Sequence, residues 1–346
     1  MDTITQIALG AAVGEAVLGR KVGNKALLWG AVGGTIPDLD VLARPLLSGV
    51  ENLGFHRGFS HSILFAVMIA PLLGWLVQRL YRNSPLNASW RQWSWLFFWS
   101  VFTHPILDSF TSYGTQLFQP FSDYPVALSS IFIIDPLYTV PLLGAVIAAL
   151  FMQRTSARRR MIVYAALGFS TFYLLLTLGI KLQVESAFRN SLAQQNVNYS
   201  RLFSNPMPLN SLLWMGVAEQ DESLYIGLYS IFDDGDTIEF QRIEKNSELI
   251  ADKLDQAAIR KLLWFSRGYY TVTEKDGTLY FNDLRFGRSD LWLSEHGEYV
   301  FSFRLIKDPG NPAVVEDIYQ ERPAFALNGS LLQRFWARIL SNHEGV

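Results

Sequence analysis

The chain has no cysteine. Disulfides and thiolate metal sites are therefore excluded, while compartment stays open, because a cysteine-free chain tolerates either side of a membrane. Charge is also scarce. Asp, Glu, Lys and Arg make up 17% of the residues against 50% hydrophobic, and the net charge is −2. That balance argues against a general nucleic-acid surface. There is no glycine-rich nucleotide loop and no GxSxG nucleophile elbow. Histidine occurs five times in 346 residues, so a histidine in an apolar setting needs a reason.

The charges are unevenly spread. Residues 1–180 hold 12 Lys+Arg and 8 Asp+Glu, and residues 181–346 hold 17 and 23. Nearly all the long apolar runs lie in the first part. Four of them, 162–180, 131–151, 63–80 and 93–110, read as membrane spans. The second is interrupted only by Asp135, the third contains a proline, and the fourth carries His104 and Asp108. Runs 4–19 and 26–47 are weaker, being short or broken by charge; the first makes roughly 24 Å of helix against a hydrocarbon core of roughly 30 Å. Residues 1–19 make a poor secretory signal, with no basic start and with Asp2 and Glu15 in the wrong places. The pattern predicts an all-α polytopic membrane domain (1–180), a helical linker or extension (181–206) and a soluble α+β domain (207–346).

Basic loops set the expected orientation. "RTSARRR" (154–160), the loop with Arg79, Arg82 and Arg91, and the turn with Arg20, Lys21 and Lys25 belong on the cytoplasmic side. Threading the spans from there leaves residues 181–346 outside. Asp2, Asp38, Asp40, His56, His61, His104, Asp108 and Asp135 then all fall towards that outer side.

Three short stretches carry most of this cluster: "GGTIPDLDVL", "FHRGFSHS" and "FTHPILDSFTSYG". His104 and Asp108 are four apart, which puts them on one helix face, and Pro105 fits there in a first turn or at a kink. His56 and His61, five apart, suit a loop entering a helix, with Ser60 or Ser62 near its cap. Buried carboxylates are costly without compensating charge, and a divalent cation compensates several at once. Imidazole with carboxylate suits zinc, manganese or iron, so one or two ions are expected, zinc first. The expected ligands are Asp38, Asp40, His56, His61, His104 and Asp108, with Asp2 and Asp135 as further candidates; Asp135 also suits a helix cap. Asp40 is the candidate base and Arg57 the candidate phosphate holder. Each stretch also has a structural reading: "PDLD" as a helix break with a cap, His104 and Asp108 as a buried pair, and Glu15 as a buried partner of a base.

With these words on the page, the chain resembles the membrane-bound metal-dependent hydrolase family of bacterial inner-membrane proteins. The resemblance rests on "MDTITQIALGAAVG", "GAVGGTIPDLDVL", "HRGFSHS" and "THPILDSFTSYGTQLFQPFSD" and covers roughly residues 1–180. It implies metal-ligand motifs at Asp38 and Asp40, His56 and His61, and His104 and Asp108. It also implies phosphoester or lipid chemistry, through similarity to zinc-dependent phospholipase-like proteins. Many relatives carry a histidine where this chain has Gln6, a departure in the first motif.

The polar part reads as strands and helices. "SLLWMGVAEQDESLYIGLYSIFD" and "TIEFQRI" suit strands around the turn "DDGD", and "GYYTVTEK" and "TLYFNDLRF" flank a hairpin turn at "DG". "EYVFSFRLI" is a further strand, and "NSELIADKLDQAAIRKLLWFSRG" and "LLQRFWARIL" carry helices. Residues 181–205 are expected to prolong the preceding helix, and His296 and His343 to be solitary surface residues.

The leading expectation is thus a metal-dependent hydrolase of the bacterial inner membrane, multi-pass, with an extracytoplasmic C-terminal domain. Its substrate would be a phosphoester or lipid-like molecule and its surroundings membrane lipids, with no nucleic acid. The alternatives are a metal-binding transporter and a structural or envelope-stress protein whose outer domain docks a protein partner.

Overall fold

The computed structural model describes residues 1–85, 88–235, 237–294, 297–323 and 329–341, so His296 and His343 lie outside the described residues. The chain divides into two compact units. The first comprises Met1–Ala43, Phe55–Leu178 and Pro208–Asn210; the second comprises Arg44–Gly54, Gly179–Met207 and Ser211–Val346.

The first unit is helical. Helix α1 (Thr3–Gly14) passes through a π turn, Glu15–Gly19, into the short α2 (Arg20–Val22). Helix α3 (Asn24–Thr35) bends by 42° into a 3-10 run, Pro37–Leu46. There follow α4 (Gly49–Phe55), a 3-10 turn Phe59–His61, α5 (Ile63–Leu80), α6 (Trp90–Asp108), α7 (Pro136–Leu150) and α8 (Ala157–Gln194). Side chains start these helices as the sequence suggests. Asp2 accepts from Thr5 N, Ser62 from Phe65 N, and Ser89 and Gln92 form a capping box at α6. Pro105 lies in the last turn of α6, not in its first turn.

Two constraints hold the helices in place. Gly10 and Gly14 of α1 face Gly30 and Gly34 of α3 so closely that a Cβ on Gly10 would lie 2.8 Å from Gly34 Cα, and one on Gly30 2.9 Å from Gly14 Cα. Small residues four apart on both helices let the backbones touch, the packing available to helices that gain little from apolar burial in lipid. At the far end of α1, Glu15 opens the π turn and forms a buried bidentate pair with Arg159 of α8, at 2.7 and 2.6 Å. Arg159 also donates to Asn24 Oδ1 and Met152 O, so the buried charge is fully engaged.

Among the described residues two helices, α5 and α8, are long and apolar enough to cross a bilayer, or three spans if the bent pair of α3 and its 3-10 continuation counts as one. Their outward faces carry exposed apolar side chains, such as Val67, Met68 and Leu72 on α5 and Phe172, Leu175 and Leu176 on α8. Two expected spans are weaker than the runs suggested. Helix α7 has only 15 residues, because Asp135 and Pro136 start it late. Helix α6 has 19 residues, but its tryptophans and polar side chains keep it out of the apolar class.

The second unit contains two four-stranded antiparallel sheets. The first has the order β1 (Arg201–Pro206), β2 (Leu213–Gln220), β3 (Ser223–Ser230), β4 (Phe240–Glu244). The second has the order β5 (Tyr270–Lys275), β6 (Thr278–Arg288), β7 (Tyr299–Lys307), β8 (Val315–Glu321). Helices α9 (Ala257–Ser266) and α10 (Gly329–Ile339) complete it. The "DG" hairpin forms between β5 and β6, with Asp276 and Gly277 both at positive φ, as a tight two-residue turn requires. The expected strand 211–233 breaks in two at Asp221, whose φ of 49° closes the β2–β3 hairpin. The expected helix over 181–205 ends at Gln194; Asn196 turns left-handed, and residues 201–206 pair with β2 instead. Alternate residues of β2 serve opposite faces. Trp214 packs with Val184 and Phe188 of α8, and Met215 and Val217 pack with Leu331, Phe335 and Ile339 of α10.

Gly30→Leu is expected to force α1 from α3 and to lower stability by at least about 1–3 kcal/mol, read as thermal unfolding in detergent. Gly168→Leu, at a glycine with nothing within 4 Å, is the control. Equal melting of the two variants would show that the close glycine contact is not needed.

Candidate metal centre

The end of α3 starts the site. The "GGTIP" sequence stops the helix, and the last turn of any helix leaves carbonyls without intrahelical partners. One of them, Gly34 O, lies 2.6 Å from His104 Nδ1. Beyond the bend, the 3-10 run carries Asp38 and Asp40 in its first turn. The "HRGFSHS" stretch then forms a loop and one 3-10 turn, with Ser62 as the cap of α5, so His61 sits just ahead of that helix. Helix α6 delivers His104 and Asp108 on one face, with His104 Nε2 3.7 Å from Asp108 Oδ2.

Four of the expected residues come together. One donor atom from each of Asp38, His61, His104 and Asp108 lies within 4.8 Å of all the others. His61 Nε2 and His104 Nε2 are 3.2 Å apart. Asp38 Oδ1 lies 3.4 Å from the first and 3.5 Å from the second, and Asp108 Oδ2 lies 3.7 Å from both. His61, His104 and Asp108 are buried, and Asp38 is the most open of the four, with 22% of its side chain exposed.

The partners of the other ring nitrogens decide the chemistry of this cluster. His104 Nδ1 faces only a carbonyl, so it carries the proton and donates. Ser60 Oγ donates its single proton to Asp40 Oδ2 at 2.8 Å, so it accepts from His61 Nδ1 at 3.0 Å. A neutral ring with its proton on Nδ1 presents Nε2 as a lone pair. Burial pushes the His61 imidazole down to about 4, against the pull of Asp38, which keeps that ring neutral. Two imidazole nitrogens and two carboxylate oxygens thus converge. A divalent cation fits this donor set, and a hydrogen bond from each ligating imidazole to a carbonyl or hydroxyl is the usual support around one.

Asp40 and His56 stand beside the quartet and outside it. Asp40 accepts from His56 Nδ1 at 2.9 Å, from Ser60 Oγ and from Arg57 N at 3.3 Å, so both its oxygens are spent on orienting the loop. Asp40, expected as ligand and base, and His56, expected as ligand, are thus placed outside the quartet. Asp2 and Asp135 are likewise used elsewhere. Asp2 caps α1, and Asp135 accepts from Leu137 N, Tyr138 N and the Tyr173 hydroxyl at the start of α7. Arg57, expected to hold a phosphoryl oxygen, is turned inward instead. Its Nε lies 3.0 Å from Asp108 Oδ2, an ion pair without hydrogen-bond direction, and its Nη1 donates to Thr111 Oγ1 at 2.8 Å. The residue adopts φ of 60°, an uncommon conformation for a side chain of this size.

Two contributors are not among the expected ligands, although the resemblance marks position 6. Gly34 acts through its backbone, and the only signal was the glycine-rich helix end. Gln6 donates to Asp108 Oδ1 at 2.9 Å and to His104 O at 3.3 Å, while its own Oε1 is buried without a partner. The amino group of Met1 also meets Asp108 Oδ1.

The arrangement of a helical unit with buried histidines and aspartates and exposed apolar helix faces is that of a membrane protein. The profile of the YdjM inner membrane protein family matches residues 1–184, more than half of the chain, and the chain belongs to that family. It is 34% identical over 156 residues to the uncharacterized protein YfhP of Bacillus subtilis (strain 168), covering 42% of this chain and 45% of that protein. It is 29% identical over 123 residues to the inner membrane protein YbcI of Escherichia coli (strain K12), covering 35% of this chain and 68% of that protein. The chain therefore spans somewhat less than half the length of YfhP; the name of YbcI states a location, and neither name states an activity. No solved structure matches.

Arg57→Met is expected to cost about 3–5 kcal/mol in metal-free protein, because it leaves the buried Asp108 charge without its guanidinium. The loss should shrink when zinc is supplied, since a cation would take over that charge. Thermal unfolding with and without zinc measures the difference; the same loss in both would mean that no cation shares Asp108.

Proposed function

We propose that the protein is a divalent-metal-dependent hydrolase of the inner membrane, acting on a phosphoester or lipid-like substrate. The observation that carries this reading is the convergence of the His61 and His104 lone pairs on Asp38 and Asp108. Asp38, His61, His104 and Asp108 would hold one ion, zinc by the imidazole–carboxylate donor set. Such an ion supplies positive charge that polarises an ester and acidifies a water. The chain's own residues do the rest. Gly34 O, Ser60 and Asp40 fix both rings with Nε2 inward, and Gln6 and Arg57 hold the two oxygens of Asp108. Substrate would enter beside Asp38, the most open of the four.

A transport role would need polar groups that continue to the opposite side. Glu15 is paired bidentately with Arg159, which speaks for a structural role and not for such a continuation. The hydrolase reading therefore stands ahead of transport and of a purely structural module.

The same reading places the chain in the membrane several times, with the second unit outside. It rests on the basic residues Arg154, Arg158, Arg159 and Arg160 at the start of α8, which favour the cytoplasmic side. The absence of cysteine makes the test clean: a single Cys at Gly235 should react with an impermeant maleimide in intact spheroplasts, and one at Arg158 only after lysis. The reverse pattern would invert the topology.

Purified wild-type protein should hold metal stoichiometrically, and His104→Ala and Asp38→Ala should lose it. Hydrolysis of a chromogenic phosphoester or of phospholipid in vesicles should fall by at least about 100-fold in both. Metal without turnover would defeat the hydrolase reading, and protein without metal would defeat the centre itself.

A further inference from the structure

The two stretches that meet at Asp40 and His56 are joined by a segment that belongs to the other unit. Residues Arg44–Gly54 group with the C-terminal sheets, while Asp40 and His56 group with the helical unit. The segment is internally stiff. Asn52 Nδ2 donates to Ser48 O at 2.9 Å, to Leu47 O at 3.3 Å and to Arg44 O at 3.4 Å, and Ser48 N donates to Glu51 Oε2 at 2.8 Å.

It is also gripped at both ends. The first N–H groups of a helix lack intrahelical partners and carry the positive end of its dipole. At α4 they are taken by a carboxylate from β8: Gly49 N donates to Asp317 Oδ2 at 3.1 Å and Val50 N to Asp317 Oδ1 at 3.0 Å. Gly49 sits so close to the Ile318 carbonyl that no Cβ fits there, and a Cβ on Gly54 would lie 2.6 Å from Lys261 Cε of α9. Leu53 between them is buried. The chain leaves the helical unit only three residues after Asp40 and regains it one residue before His56. There the two side chains bond at 2.9 Å, and Arg57 N and Ser60 Oγ bond to the same carboxylate that orients His61.

We propose that the C-terminal unit sets the spacing of the two site-bearing stretches by holding the segment that joins them, with Asp317 as the positioning residue. The inference rests on the metal reading for its chemical consequence and on the fold alone for its structural one. It gives the C-terminal unit a role in the site without contributing a ligand to it.

Amide hydrogen exchange on the full chain in detergent, without added metal, tests the structural part. In Asp317→Ala, exchange should quicken at Gly49–Asn52 and also at Arg57, Gly58 and His61. Cobalt(II), titrated by its visible absorption, should bind about tenfold more weakly, the scale of lost outer support. Asp317→Asn, which keeps one acceptor, should fall between, and it serves for the whole comparison if the alanine variant does not fold. Faster exchange confined to Gly49–Asn52, with unchanged exchange at 57–61, would overturn the proposal and reduce Asp317 to a local cap. If wild-type protein binds no cobalt, the metal reading fails, and exchange at 57–61 still decides this inference.

Discussion

Four electron-rich atoms, two imidazole nitrogens and two carboxylate oxygens, meet in the helical unit with their protons all directed elsewhere. His104 Nδ1 faces the Gly34 carbonyl and His61 Nδ1 faces Ser60, so in neutral rings neither Nε2 has a proton to offer the other across 3.2 Å. Like partial charges held this close in a buried place are unfavourable unless something positive joins them. Part of that charge comes from Arg57 and from the Met1 amino group against Asp108, and a divalent cation would add to it. Much of the local structure serves this arrangement: the stopped end of α3, the loop turned around Asp40, and the left-handed backbone at Arg57.

The scaffold reaches that geometry by close approach more than by bulk. Gly10 and Gly14 against Gly30 and Gly34 bring the α1 and α3 backbones into contact, which places Gln6 on α1 and the Gly34 carbonyl on α3 beside the residues of α6. A side chain at any of these glycines would separate the helices by more than a hydrogen bond can stretch. Directly after Gly14 the Glu15–Arg159 pair ties the π turn to α8. One helix is therefore held along its second half by packing and just beyond its last residue by charge, and the polar site lies between α1, α3 and α6.

Family membership and chemistry reach different distances along the chain. The YdjM inner membrane protein family accounts for residues 1–184, which include all four convergent residues, all of α5, and α8 as far as Val184. The two sheets lie beyond it, and among the described residues they contribute no ligand to the cluster. Their buried charges are paired among themselves, as with Asp283 and Arg285, in keeping with a folded module. The segment 44–54 is where the two parts of the chain become interdependent, since it is encoded within the family region and packed with the sheets.

The sequence by itself determined the residue types and their local spacing. The i, i+4 relation of His104 and Asp108, the helix caps at Ser62 and Asp135, the "DG" hairpin and the apolar character of α5 and α8 all follow from short-range chemistry, and all were legible. Only the tertiary structure decided which polar groups face one another. Asp38 and Asp40 are two residues apart and looked equivalent, yet one points to the quartet and the other to His56 and Ser60, because the 3-10 turn sends their side chains in different directions. Arg57 looked free for a substrate and is bound to Asp108, and residues 201–206 looked helical and joined a sheet. In each case the deciding partner lies far away in sequence. A local pattern cannot weigh a partner that only folding brings near.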